Sequence, residues 1–272
     1  MADAISLLSE GFPKENWWKN VLNDFKLSEN NIGGMLLKID GVSQGVMLLF
    51  EHERLVNAKL IKLANISSWY VRLEFRNFTK LMLEKVIEDE NKVYTVFTAS
   101  KFVHNRFFAA GFRLVSNGAV LSLPLLNNQK KNKKVSISSI KTNDPVKTTN
   151  ACFNSIPIHQ HSHLPFIALQ ISDSISGKAT KIVLRFFLRR HIRFCRLVFT
   201  DNPEFLVESL SSIKIFLLMK YFCAGIYLPN FDPYNKLKSY FPSIASPSIL
   251  VKGPLPETDI TLFYSEYLYL PI

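Results

Sequence analysis

Ile66-Ser-Ser-Trp-Tyr-Val-Arg-Leu-Glu-Phe-Arg-Asn-Phe-Thr-Lys-Leu-Met-Leu83 changes its period half-way along. Its first half alternates and is rich in β-branched and aromatic residues, the pattern of a half-buried strand. In its second half Phe78, Leu81, Met82 and Val86 fall on one helical face, while Lys80, Glu84 and Lys85 lie off it. The stretch therefore predicts a strand ending at Val71, a short loop over 73–77, and a helix over 77–90. Such a corner aims the first backbone N–H groups of the helix at one spot, where the helix dipole favours an anion such as phosphate.

Upstream, two apolar runs within 34–50 flank Asp40-Gly41, the turn chemistry of a β-hairpin, and a further strand covers Lys59–Val71. Before them, Trp18, Val21, Leu22 and Phe25 repeat at helical spacing, so a helix is expected over Lys14–Phe25 with Pro13 at its start. Downstream, Val93–Thr98 reads as a buried strand. Ser100 then suits the cap of a second helix, with Phe102, Val103 and Phe107 inward and Gly111 as its stop. Phe112–Ser116 and Ala119–Leu125 flank Asn117-Gly118 and predict a closing hairpin.

The strand end Trp69-Tyr70-Val71, the following Glu74-Phe75-Arg76 and the helix after them resemble the acetyl-CoA-binding core of the GNAT superfamily of N-acetyltransferases. There the loop reads Arg/Gln-x-x-Gly-x-Gly/Ala; on this chain Arg76 takes the first place, while Thr79 and Leu81 stand where the glycines belong. Ala109-Ala110-Gly111-Phe112-Arg113 is similar to the family's Tyr-x-x-x-Gly-Phe, and Leu8–Pro13 followed by Trp17-Trp18 is similar to its N-terminal helix and loop. The element order over 1–126 is also the family's, apart from a second N-terminal helix.

The resemblance implies an α/β (α+β) fold with a GNAT-like mixed sheet flanked by helices. It also implies acetyl-CoA or another acyl-CoA as co-substrate, held by Val71, Arg76, Asn77, Phe78, Thr79, Lys80 and Leu81, with the pyrophosphate on the backbone amides of 76–81. The family's thiolate-protonating tyrosine would stand at Phe107, which has no proton to give. Tyr70, Glu74 and His104 are the candidates left for acid and base, with Glu51 and Tyr94 beside them. The acceptor class is a small amine or sugar amine.

Composition sets the outer bounds. The 272 residues, 47% hydrophobic and 12% aromatic, exclude a disordered chain and suffice for one large or two ordinary domains. Three scattered cysteines build neither a disulfide framework nor a zinc motif and point to a reducing, cytoplasmic setting. No secretory signal or transmembrane span is expected; Leu206–Leu228 is interrupted by Glu208, Lys214 and Lys220.

Net charge is +11, and its excess is densest in 127–165, where Lys130, Lys131, Lys133, Lys134, Lys141 and Lys147 face one acid, Asp144. That polar segment reads as a solvated linker, with no nucleic acid as expected partner. Domains are thus expected at 1–126, a linker at 127–165 and 166–272. The last region shows a hairpin around Ser176-Gly177, a strand at Arg196–Thr200, a helix over Pro203–Cys223, a strand at Ile226–Leu228 and a terminal strand over Asp259–Leu270. This order resembles a second, reduced GNAT-like half.

His159, His161 and His163 alternate on one side of an extended segment but lack an acidic or thiol neighbour, so no metal is expected. Arg185, Arg189, Arg190, Arg193 and Arg196 read as a charged rim around a hairpin turn. Two functions follow: an acyl-CoA-dependent acyltransferase, or a non-catalytic tandem GNAT-like binding or scaffolding protein. A basic nucleic-acid-associated protein is the third reading.

Overall fold

The structure, a computed structural model, describes residues 2–12, 31–56, 59–99, 101–124, 135–140, 166–230, 234, 243–244, 248–256 and 260. The expected helix at 14–25, the three histidines at 159–163 and nearly all of the expected terminal strand at 259–270 lie outside them. The chain divides into two compact units. The first is built from Met1–Val115 together with Pro247–Leu255, the second from Ser116–Ser246.

The first unit opens with helix α1 (Ala2–Gly11), which buries Ala4, Leu7 and Leu8. The hairpin of β1 (Asn31–Ile39) and β2 (Val42–Val56) turns at Asp40 and Gly41, both at positive φ (52° and 78°), as a two-residue turn matched to strand twist requires. Strand β3 (Lys59–Val71) pairs antiparallel with β2 along its whole length. The register slips once, between Met47 and Leu48, opposite Ser68 at φ 43°, which marks a β-bulge. A 3-10 turn (Leu73–Phe78) leads into α2 (Thr79–Val86), then come β4 (Lys92–Ala99) and a second short turn (Lys101–Val103) leading into α3 (His104–Ala109). Gly111, at φ 87°, follows α3 as its stop.

The first core collects Met47, Ile66, Met82, Leu83, Val96, Phe107 and Phe112 between the sheet and α2 and α3. Two side chains expected inward point out: Leu81 is exposed, and Phe102 is 96% exposed. Periodicity had placed Leu81 with Phe78, but the 3-10 turn before α2 rotates the helix so that Met82 and Leu83 take the core.

The expected closing hairpin does not form. Strands β5 (Arg113–Ser116) and β6 (Ala119–Ser122) enter different sheets. All four residues of β6 are buried, which suits a strand paired on both edges, and its partners are β11 (Ile226–Pro229) and β12 (Ser243–Ile244). In the first sheet the place beside β4 is taken by β13 (Ser248–Lys252), giving the order β1-β2-β3-β4-β13-β5. The boundary expected at 126 therefore falls near 115, and the first unit takes a strand from the far end of the sequence. Local turn chemistry at Asn117-Gly118 lost to the burial of two apolar strands.

The second unit holds β7 (Ser136–Ile140), β8 (Phe166–Ser172), β9 (Ala179–Arg189), β10 (Ile192–Thr200) and α4 (Pro203–Tyr221). Its sheet runs β12-β6-β11-β10-β9-β8-β7. Strand β7 lies inside the segment expected as a linker and pairs with β8 over Ser136–Ile140 as the edge strand of its sheet. The expected arginine rim also splits. Arg185 and Arg196 are cross-strand neighbours buried in the sheet, with Arg196 over the rings of Phe187 and Tyr227, while Arg189, Arg190 and Arg193 stay exposed at the hairpin tip. A guanidinium lies flat on aromatic faces, which makes burial tolerable.

Candidate functional site

The site begins where two parallel strands part. Strands β3 and β4 pair only from Lys62↔Lys92 to Asn65↔Thr95. Beyond that point β3 continues to Val71 with β2 as its strand neighbour, and β4 continues to Ala99 beside β13. A splay of this kind leaves the facing edges of Ile66–Val71 and Val96–Ala99 to an extended, amide-bearing molecule able to act as an added strand. The bulge at Ser68 sits on the splayed segment. So does Trp69, whose indole Nε1 is buried without a hydrogen-bond acceptor among the described residues. A buried donor left unsatisfied costs about 1–3 kcal/mol unless a ligand or water meets it.

The corner after β3 carries the charge. Neither the 3-10 turn nor α2 has a side-chain cap on its N–H groups. Arg76 and Lys80 are exposed there. Arg106 reaches over from α3 and donates Nη1 to Thr79 Oγ1 at 2.8 Å, which places a third cation beside the helix start. The expected set of amides at 76–81 is changed by the turn, however. Thr79 N–H and its hydroxyl both bond to the Arg76 carbonyl (hydroxyl 2.6 Å), and Phe75 N–H bonds to Arg72 O. The first N–H groups of the helical stretch are those of Leu73 and Glu74.

The three acid–base candidates do not form one constellation. Tyr70 Oη donates to Glu10 Oε1 at 2.8 Å, and burial, then this carboxylate, holds its pKa above the ordinary value, so the phenol keeps its proton at neutral pH. Glu10 also receives Arg72 Nη2 at 2.8 Å; Arg72 first, then Tyr70, holds its carboxyl below the usual range. Arg72 Nη1 reaches Gln44 Oε1 at 3.0 Å. Gly11 lets the Tyr70 ring lie against the end of α1, where any Cβ would overlap it. Glu74 is exposed on the 3-10 turn, and a ring nitrogen of His104 sits 3.4 Å from the Ala99 carbonyl. Glu51 is paired with Lys92 at 2.7 Å, and the buried Tyr94 donates to the Asp89 carbonyl at 3.2 Å.

Phe107 is buried edge-on between Trp69 (6.0 Å) and Phe112 (5.0 Å). Glu10, Gln44 and Arg106 escaped the sequence reading. Glu10 and Arg72 are 62 positions apart, and no local period connects them.

No protein-family model matches the chain, and no curated protein matches it. Solved structures do. A GCN5-related N-acetyltransferase from Anabaena variabilis aligns over 92% of this chain and 69% of its own, with TM-score 0.61 and 10% identity. This chain has the GNAT fold. A probable N-acyltransferase from Enterococcus faecalis aligns over 92% of this chain and 69% of its own at TM-score 0.58 and 12% identity. A putative acetyltransferase from Pyrococcus horikoshii aligns over 97% and 89% at TM-score 0.55 and 12% identity. The GNAT architecture here is an α/β arrangement of two mixed sheets with few helices. Among the described residues, no helix is long and apolar enough to cross a membrane.

An acyl-CoA fits this site in part. The splayed edges, the unsatisfied Trp69 donor, the uncapped turn and the cations Arg76, Lys80 and Arg106 suit an extended molecule ending in phosphates. The engaged amide of Thr79 and the ring of Phe107 depart from the family's pattern.

Proposed function

We propose that the protein is an acyl-CoA-dependent acyltransferase of the GNAT type, acting on a small amine or sugar amine. The observation that carries this reading is the splay of β3 and β4 beyond Asn65 and Thr95, which runs directly into an uncapped, cation-lined corner. Val71 to Leu81 then lies along the co-substrate. Val71 ends the strand, Arg76 and Lys80 supply charge to the phosphates, and Asn77 and Phe78 flank them, while the backbone amides of Leu73 and Glu74 take over from the engaged Thr79.

Transfer requires the acceptor nitrogen to lose a proton and the departing thiolate to gain one. With phenylalanine at 107, Tyr70 is the protonated hydroxyl that the splayed strand offers, and Glu10 orients it. Tyr70→Phe lowers acyl transfer about 100-fold or more while leaving acyl-CoA affinity within about twofold, on the usual scale for a positioned acid.

A second reading is supported by Phe107 and the engaged Thr79: a protein that keeps the fold as a binding or scaffolding module. Calorimetric titration with acetyl-CoA and longer acyl-CoAs separates the two. Heat on binding followed by thiol release with amine acceptors supports the enzyme. Binding without turnover supports the module, and no heat with any acyl-CoA removes both ligand readings.

A further inference from the structure

The C-terminal half of α4 exposes Ile215, Leu218, Met219 and Phe222, spaced as one stripe along a helix. Lys220 is the remaining exposed residue of that half. The tip of the β9–β10 hairpin lies beside the same helix end: Arg193 Nη1 donates to the Tyr221 carbonyl at 2.9 Å, and Phe186 meets the Tyr221 ring at 5.3 Å. Every exposed residue of 188–193 is again apolar or basic, with Leu188 and Ile192 among Arg189, Arg190, His191 and Arg193. No acidic residue occurs from 174 to 200 or from 209 to 223.

Phe222 is the most telling member. It occupies the left-handed cap of α4 at φ 53°, a position where glycine or asparagine is normally found, and its ring is 80% exposed. A bulky aromatic there gains neither backbone comfort nor burial within the fold. Such a misfit points to a use outside it.

We propose that this face, the end of α4 with the β9–β10 tip, docks the protein peripherally on an anionic lipid bilayer. The apolar stripe enters the headgroup–acyl boundary, and the arginines and Lys220 meet the lipid phosphates. Charge complementarity selects this occupant. A second copy would bring the same cations face to face, and a nucleic acid would meet the cations but leave the apolar stripe in water.

The test is sedimentation of the full chain with vesicles of phosphatidylcholine alone and with about one third phosphatidylserine, read at low and raised salt. The chain pellets with the anionic vesicles and is released by salt. Met219→Ser with Phe222→Asn lowers partitioning about tenfold or more, as two inserted apolar groups predict. Arg190→Gln lowers it about fivefold. Phe222→Asn alone keeps or raises the unfolding temperature, since asparagine suits the left-handed cap, so loss of docking is not loss of fold. Met219→Ser, at a 76% exposed position, provides a second variant that leaves the core untouched. Three results each overturn the proposal: no binding to anionic vesicles, binding that survives both apolar substitutions, or a concentration-dependent dimer that those substitutions dissolve.

Discussion

Each unit contains a strand, a helix and a parallel strand, and the two corners between strand and helix are finished in opposite ways. After β10, Asn202 Oδ1 accepts from Phe205 N at 3.0 Å, Pro203 begins the helix, and Glu204 lies in the first turn. Asp201 adds its carboxylate close by, accepting from Lys181 N at 2.7 Å. The start of α4 is thus closed by the chain's own oxygens and is unattractive to an anion. After β3, neither the turn nor α2 has a side-chain cap, and Arg76, Lys80 and Arg106 stand around it. The corner after the strand is closed by the chain's own side chains in one unit, and in the other it is left without a side-chain cap beside three cations.

The contrast extends to buried charge. Helix α4 buries Lys214, whose Nζ donates to the Leu123 carbonyl at 2.9 Å, and burial lowers its pKa to about 8; Lys80 on α2 stays in solvent. Between pH 8 and the ordinary 10.5, the unfolded chain binds a proton at Lys214 that the folded chain does not, so stability rises with pH across that window. Denaturant unfolding at several pH values shows a rise of about 2 kcal/mol, absent in Lys214→Met.

Arg76→Ala tests the open corner. Acyl-CoA binding measured by calorimetry weakens by about 1–3 kcal/mol, with little change in unfolding temperature. Asn202→Ala tests the sealed one: unfolding free energy falls by about 1 kcal/mol while acyl-CoA affinity is unchanged. If Asn202→Ala alters the affinity instead, the assignment of the ligand to the first corner fails. The smallest effect belongs to Glu10. Its depressed pKa contributes stability above the ordinary 4.5 that is lost as pH falls below it. Because the pair with Arg72 is solvent-exposed, Glu10→Gln removes well under about 1 kcal/mol, seen as a slightly flatter acid-unfolding curve.

The elements carried by strong local signals were legible in the sequence. Asp40-Gly41, the strand over 59–71 and the helix start at Pro203 each combine an apolar run with a turn or breaker residue or a change of period. The parallel pairing of β3 and β4 followed from the helix between them. What could not be read depends on partners distant in sequence. Nothing near Ala119 reveals that Ile226 and Ser243 will flank its strand, and nothing near Glu10 announces Arg72. The 3-10 turn at 73–78 stands where a short loop over 73–77 was expected, and its own hydrogen bonds changed which amides the candidate site offers.

Strand β13 has a consequence for synthesis. A ribosome that has released residues 1–126 has delivered β4 and β5 but not the strand that separates them, and Leu250 and Val251, both buried in the first unit, are made only after β7 to β12. Until then the edge of β4 faces solvent as an unpaired ladder, open to the wrong neighbour. The nascent first unit is therefore held incomplete while the residues between β5 and β13 are made, a delay of roughly ten seconds at ordinary elongation rates. Its completion depends on the pairing of β4 with β13, a sequence separation of the kind that slows folding.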